Sequence, residues 1–183
     1  MRVGLVPLVV LAFILPVTSQ ADPVSDAHFA PDAVDLGWKY FEQGDHASAL
    51  RRFQMAIRHD PDFAPAYFGA AHVYTSEGKL DDAIKCYRET LKKDTLYMLT
   101  YANLGYALLQ QGKLPEAVQM LDKALEIDPK CSEAHLCYAK YYAYKRDWND
   151  AEQSVNKAIK YGQRLDPELR QILETHGVKI AEN

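Results

Sequence analysis

The chain has 183 residues, 48% of them hydrophobic and 25% charged, with a formal net charge of −4. Those ordinary fractions allow one domain with a respectable core, and the acidic balance argues against a nucleic-acid partner, whose phosphates select basic surfaces. Its three cysteines cannot all pair within one copy.

In chain order, Arg2 precedes an apolar run over residues 3–17 that contains Pro7 and Pro16, followed by Thr18, Ser19, Gln20, Ala21 and acidic Asp22. A bilayer span needs about twenty apolar residues, so residues 1–21 read as a secretory signal peptide. The small side chains of Ser19 and Ala21 place cleavage before Asp22; Val17-Thr18-Ser19 is the second choice and an uncleaved anchor the alternative. Cleavage removes Arg2 and no acidic residue, which makes the mature chain one unit more negative. The mature protein is expected to be secreted or periplasmic, with no stable membrane span. None of Asn103, Asn149 and Asn156 opens a glycosylation triplet, which suits a bacterial periplasm.

Export would carry Cys86, Cys131 and Cys137 into an oxidising compartment. Six residues along a helix turn Cys131 about 240° from Cys137 and separate the two by about 9 Å, outside bridging range. Cys86 is remote in sequence. No intramolecular disulfide is expected, and an intermolecular one is left open.

Residues 22–29 carry no period and read as a linker. Pro31 suits the first turn of a helix, where its missing N–H costs nothing. From Ala30 onward, paired apolar-periodic segments of about a dozen residues recur. Gly44, Gly78 and Gly112 lie one period of 34 apart, and Ala49, Ala83, Ala117 and Ala151 carry the period into four copies, residues 30–63, 64–97, 98–131 and 132–163. A fixed period of this length predicts an array of helical hairpins that bury their apolar faces against their neighbours. Within residues 164–183, Asp166-Pro167-Glu168 starts a last helix that runs through Leu169, Ile172 and Leu173 to His176-Gly177. It should cover the fourth repeat, with a frayed tail after Gly177.

Leu36, Gly37, Tyr40, Ala49, Phe53, Ala56 and Pro61 in the first copy, and Tyr101, Leu104, Gly105, Ala117, Leu121, Ala124 and Pro129 in the third, resemble the tetratricopeptide repeat (TPR) family. The resemblance implies an all-α fold, an α-solenoid of four hairpins plus a capping helix, wound as a right-handed superhelix. It implies a protein-binding scaffold rather than an enzyme. Gly37 and Ala49 are small where the two helices of a hairpin cross, and Tyr40 and Phe53 supply bulk beside them. Gly44 ends the first helix in a left-handed conformation, and Pro61 stops the second. Thr90 stands where the family prefers alanine and Thr95 where it prefers proline, which should loosen the turn into the third copy. Arg146 replaces the turn glycine of the fourth copy and Gln163 its proline; a left-handed non-glycine residue costs about 1 kcal/mol or more, so a different backbone is expected at Arg146.

The chain has no GxSxG, HExxH, phosphate-loop or CxxCH motif, and neither catalysis nor a cofactor is expected. Cys131, His135 and Cys137 offer two ligands on one helix face, fewer than zinc requires. A second apolar stripe is more informative. Val34, Trp38 and Phe41 recur at i, i+4, i+7 on a helix whose other face, with Leu36 and Tyr40, already packs.

The equivalent positions are Phe68, His72 and Thr75 in the second copy, Ala102, Tyr106 and Leu109 in the third, and Leu136, Lys140 and Ala143 in the fourth. The resemblance implies that they line a concave groove for a partner peptide. The carboxylate clamp of the best-known family members is missing, since its positions hold Val34, Trp38, Gly69 and Leu99, and only Asn103 fits. An apolar or aromatic peptide partner is therefore expected along Val34, Trp38, Phe41, Phe68, His72, Asn103, Tyr106, Leu109, Leu136 and Lys140, in envelope assembly or secretion. Two alternatives stand beside it. One is self-assembly, as a weak homo-oligomer, through Tyr138, Tyr141, Tyr142 and Tyr144; the other is a metal, haem or cytochrome-maturation accessory role through Cys131 and His135.

Overall fold

The computed structural model describes residues 26–95 and 98–181, with side chains from Phe29 onward. The expected leader, 1–21, lies outside the described residues. The chain forms α1 (Asp26–Glu42), α2 (His46–His59), α3 (Ala64–Ser76), α4 (Leu80–Lys93), α5 (Met98–Gln110), α6 (Leu114–Ile127), α7 (Ser132–Lys145), α8 (Trp148–Lys160) and α9 (Pro167–Thr175), with no strand among the described residues. The helices pair as hairpins α1/α2, α3/α4, α5/α6 and α7/α8, each stacked on the next, and α9 rests on α8. This is an all-helical solenoid.

The packing repeats with the sequence. Ala49, Ala83, Ala117 and Ala151 are all completely buried, as are Ala56, Thr90, Ala124 and Ala158. The bulky series Phe53, Tyr87, Leu121 and Val155 is buried in every copy and fills the space between a hairpin and its successor. Its partners have almost no side chain. A Cβ at Gly37 would lie 2.7 Å from Phe53 Cε1, one at Gly69 2.3 Å from the same atom, and one at Gly105 2.7 Å from Leu121 Cδ2. Phe53 is thus clasped between glycines of two successive hairpins.

The turns recur as well. Gly44, Gly78 and Gly112 have φ of 77°, 71° and 75°, and the two amides at each turn bond back to carbonyls of the preceding helix. Arg146 departs from expectation. It keeps the same left-handed turn, with φ 58° and ψ 27°, and the same bonds, Arg146 N to Ala143 O and Asp147 N to Tyr142 O. Asp147 then caps α8 by accepting from Asp150 N, so the hydrogen bonds around the turn hold a residue type that disfavours it. Thr90 fits equally well in place of alanine, because its hydroxyl donates to Cys86 O at 3.0 Å.

Both ends of the array differ from the expected boundaries. α1 begins at Asp26, inside the stretch read as a linker, and Pro31 lies within the helix rather than in its first turn. The added turn has a packing partner, since the Phe29 ring lies 4.6 Å from His59 at the end of α2. At the other end residues 178–181 are not frayed. Val178 is buried, Ile180 packs against the core, and the backbone of Lys179 and Ala181 is bonded to α8.

The clasp around Phe53 generates a test. Gly69→Ala should lower stability by about 2–3 kcal/mol, read by urea denaturation, and Phe53→Leu in the same background should recover part of the loss. Additive losses in the double variant would mean that the two residues do not meet.

Candidate functional site

The face built by α1, α3, α5 and α7 carries the second stripe, and its two halves behave differently. In the first half the side chains turn onto one another. Val34 and Phe68 are only 5% and 7% exposed, so these two predicted groove residues belong to the core instead. The Trp38 indole stands edge-on to Phe41 at 5.6 Å, to Phe53 at 5.3 Å and to His72 at 5.3 Å, bridging α1 and α3. Its breadth lets it reach both Phe68 and His72 on the next first helix.

His72 completes that cluster. Its ring meets Phe68 at 4.6 Å and Tyr87 at 6.0 Å, and its Nε2 lies 3.1 Å from the Asn103 amide nitrogen on α5. Burial among these rings pulls its pKa down to about 4. The amide nitrogen can donate only to a deprotonated Nε2, so geometry and burial both favour the neutral ring. Asn103, the one position matching a carboxylate clamp, is thereby already engaged.

The second half stays open. Lys140 Nζ lies 4.9 Å above the Tyr106 ring and 3.6 Å from Asp166 Oδ2, and Gln110 Nε2 donates to the Tyr106 hydroxyl at 2.7 Å. Two cavities flank Lys140. One, of about 230 Å³, is lined by Tyr106, Leu109, Leu114, Tyr141 and Tyr144; the other, of about 330 Å³, by Ala143, Tyr144, Glu168, Leu169 and Ile172. Tyr144 borders both and is 72% exposed, and Ile172 is 41% exposed. Leu136 is half-buried against the fourth-repeat core.

Of the predicted wall, Tyr106, Leu109 and Lys140 therefore line open space, whereas Trp38, Phe41 and His72 pack together. Sequence reasoning missed Tyr144 as a groove residue, although it follows Lys140 at i+4 on the same helix. It also missed Leu169 and Ile172, which sit on α9 and have no counterpart in the repeat.

The cysteine and histidine candidates are held in the packing. His135, Cys131 and Cys137 are 7%, 2% and 6% exposed. His135 Nε2 lies 3.0 Å from Pro129 O, and Cys137 Sγ lies 3.9 Å from Ala102 O. Burial pushes the Cys137 thiol up to about 12 and the Cys86 thiol up to about 11, which keeps both protonated and slow to exchange. Among the described residues no group of three or more His, Cys, Asp or Glu is placed to hold a metal ion. Of the four tyrosines, Tyr138, Tyr141 and Tyr142 are in ring contact with one another at 5.2, 5.8 and 6.4 Å. Tyr141 and Tyr144 face the cavities beside Lys140, whereas Tyr138 and Tyr142 line a separate polar hollow with Asp122 and Asp150, where Tyr138 donates to Asp122. Among the described residues no helix is long and apolar enough to cross a membrane.

Two family profiles, both described as tetratricopeptide repeat, match residues 40–99 and 99–131, together half of the chain. The chain belongs to the tetratricopeptide-repeat family. TPR proteins of known structure share its fold. A thermophilic TPR protein of Thermus thermophilus aligns with a TM-score of 0.69 at 23% identity, over 80% of each chain. PilF of Pseudomonas aeruginosa aligns at 0.71 and 22%, over 82% of this chain and 68% of its own. The first TPR of Spaghetti (RPAP3), bound to the HSP90 peptide SRMEEVD, aligns at 0.58 and 26%, over 60% of this chain and 89% of its own. No curated protein sequence matches this TPR chain.

The partly buried imidazole makes stability depend on pH. His72 has a folded pKa of about 4, below its ordinary 6.5, so its contribution is complete above pH 6.5 and is lost as pH falls towards 4. The loss should approach about 3 kcal/mol. His72→Gln, which removes the titration, should flatten this part of the profile of unfolding free energy against pH. An unchanged slope would mean that another group carries the acid sensitivity.

Proposed function

We propose that this chain is an exported interaction scaffold that captures an apolar or aromatic peptide segment of a partner, in envelope assembly or secretion, on the face of α5, α7 and α9. The observation that carries the reading is Tyr144, a large aromatic side chain left 72% exposed between two apolar cavities. Large amphipathic side chains in such positions dominate binding energy at protein interfaces. Cavities of this size each admit one bulky apolar side chain, and Lys140 between them can meet a carboxylate or a backbone carbonyl of the ligand.

The Spaghetti domain supports peptide capture by this fold, since it holds an HSP90 peptide. The ligand proposed here differs in chemistry. Val34, Trp38, Gly69 and Leu99 offer no cation, and Asn103 is turned towards His72, so recognition rests on apolar burial rather than on a terminal carboxylate. The apolar run at residues 3–17 supports export.

Tyr106→Ala combined with Tyr144→Ala should weaken capture of partners from an envelope fraction about ten-fold or more, with the helical signal intact because Tyr144 contributes little to the core. Trp38→Ala serves as the contrast: it should cost about 3 kcal/mol of stability through lost ring packing. Equal capture by the double variant and the parent would rule out the α5–α7–α9 groove.

Export has its own test. Mass measurement of the protein recovered from the envelope of an expressing bacterium should give a chain beginning at Asp22, and a chain retaining Met1 would overturn cleavage.

A further inference from the structure

The end of the array holds a segment of its own chain in the manner of a bound peptide. After the turn at Gly177, with φ 77°, residues 178–181 run along α8. Glu152 Oε2 accepts from Lys179 N at 3.0 Å, Asn156 Nδ2 donates to Lys179 O at 2.9 Å, and Asn156 Oδ1 accepts from Ala181 N at 2.8 Å. Both ends of the Asn156 amide are engaged, and the bonding fixes which end is oxygen. Side chains alternate accordingly. Val178 is 6% exposed and Ile180 packs into the cluster of Val155, Ile159 and Leu173, while Lys179 points outward.

The register shows what this segment replaces. Arg88, Asp122 and Asn156 are one repeat apart. Arg88 reaches forward to Glu116 in the next hairpin, and Asp122 to Tyr138 in the next. Among the described residues no further hairpin follows α8, and Asn156 grips main chain instead. Every one of its bonds is to backbone, which any sequence supplies, while the apolar pockets select only the residues on either side of Lys179.

We propose that Glu152 and Asn156 form a second peptide site, separate from the α5–α7–α9 groove, that reads an extended segment carrying apolar side chains at i and i+2, and that the chain's own residues 178–181 occupy it in cis. The site takes a β-branched or aliphatic pair with any residue between. Its resident tail is a removable strap, so a segment of matching pattern reaches α8 only by displacing it.

The test uses the full chain with a protease recognition site inserted between Gly177 and Val178, cut after folding and dialysed free of the tail. A labelled pentapeptide of residues 177–181 is titrated into cut and uncut protein. Saturable binding to the cut form, at least about ten-fold weaker binding to the uncut form, and loss of binding when the peptide carries Ile180→Asp are expected. Asn156→Ala in the cut form should weaken binding about ten-fold, as the loss of two hydrogen bonds implies. A cut chain that stays helical and ignores the peptide, or cut and uncut forms that bind it equally, would overturn the proposal. If cutting melts the array, amide exchange in the intact chain decides: Asn156→Ala should speed exchange at Lys179 and Ala181 about ten-fold, and unchanged rates would refute the clamp.

Discussion

The array depends on the closeness with which one hairpin approaches the next, and Phe53 shows how that closeness is set. Its ring lies against Gly37 in its own hairpin and Gly69 in the following one, at distances that leave no room for a Cβ on either. The same pairing of small and large recurs along the chain. Tyr87, Leu121 and Val155 stand opposite Ala71, Gly105 and Ala139, all of them buried. Overpacking any of these seams would push the first helices apart. Their separation then determines which side chains of neighbouring first helices can touch.

Two outcomes on the functional face follow from that spacing. Trp38 is broad enough to reach His72 on the next helix, so the aromatic residues of the first two repeats seal against each other and hold a neutral imidazole among them. Further along, the side chains at the same positions are Tyr106 and Lys140, which meet through a cation over a ring and leave room on both sides. The same repeat thus produces a closed half and an open half, decided by side-chain breadth.

The ends of a repeat array have no neighbour to cover them, and this chain covers its last hairpin with two different devices. α9 contributes Leu169 and Leu173 to the fourth-repeat core, and the Trp148 indole at the start of α8 stacks on His176 at 4.0 Å. The tail then extends along α8 through backbone hydrogen bonds. Gly177 divides the devices, turning the chain from helix to extended strap. The cover also enlarges the functional face, because Ile172 and Leu169 line one of its two cavities.

The period of 34 and the placement of small, bulky and turn residues were sufficient to determine a solenoid of helical hairpins, because each of these requirements is local or concerns the adjacent repeat. Arg146 marks the boundary of such reasoning: conformational preference argued for a different turn, and hydrogen bonds to Ala143 and Tyr142 kept the usual one. Periodicity also located the stripe from Val34 to Lys140, since it specifies the direction in which a side chain leaves its helix. It says nothing of what stands opposite. Whether Trp38 is packed among its neighbours and Tyr144 bare depends on residues in other helices, and α9 and the tail have no counterpart in the repeat from which their docking could be read. Burial is a property of several distant segments at once, so it was decided only when the hairpins came together.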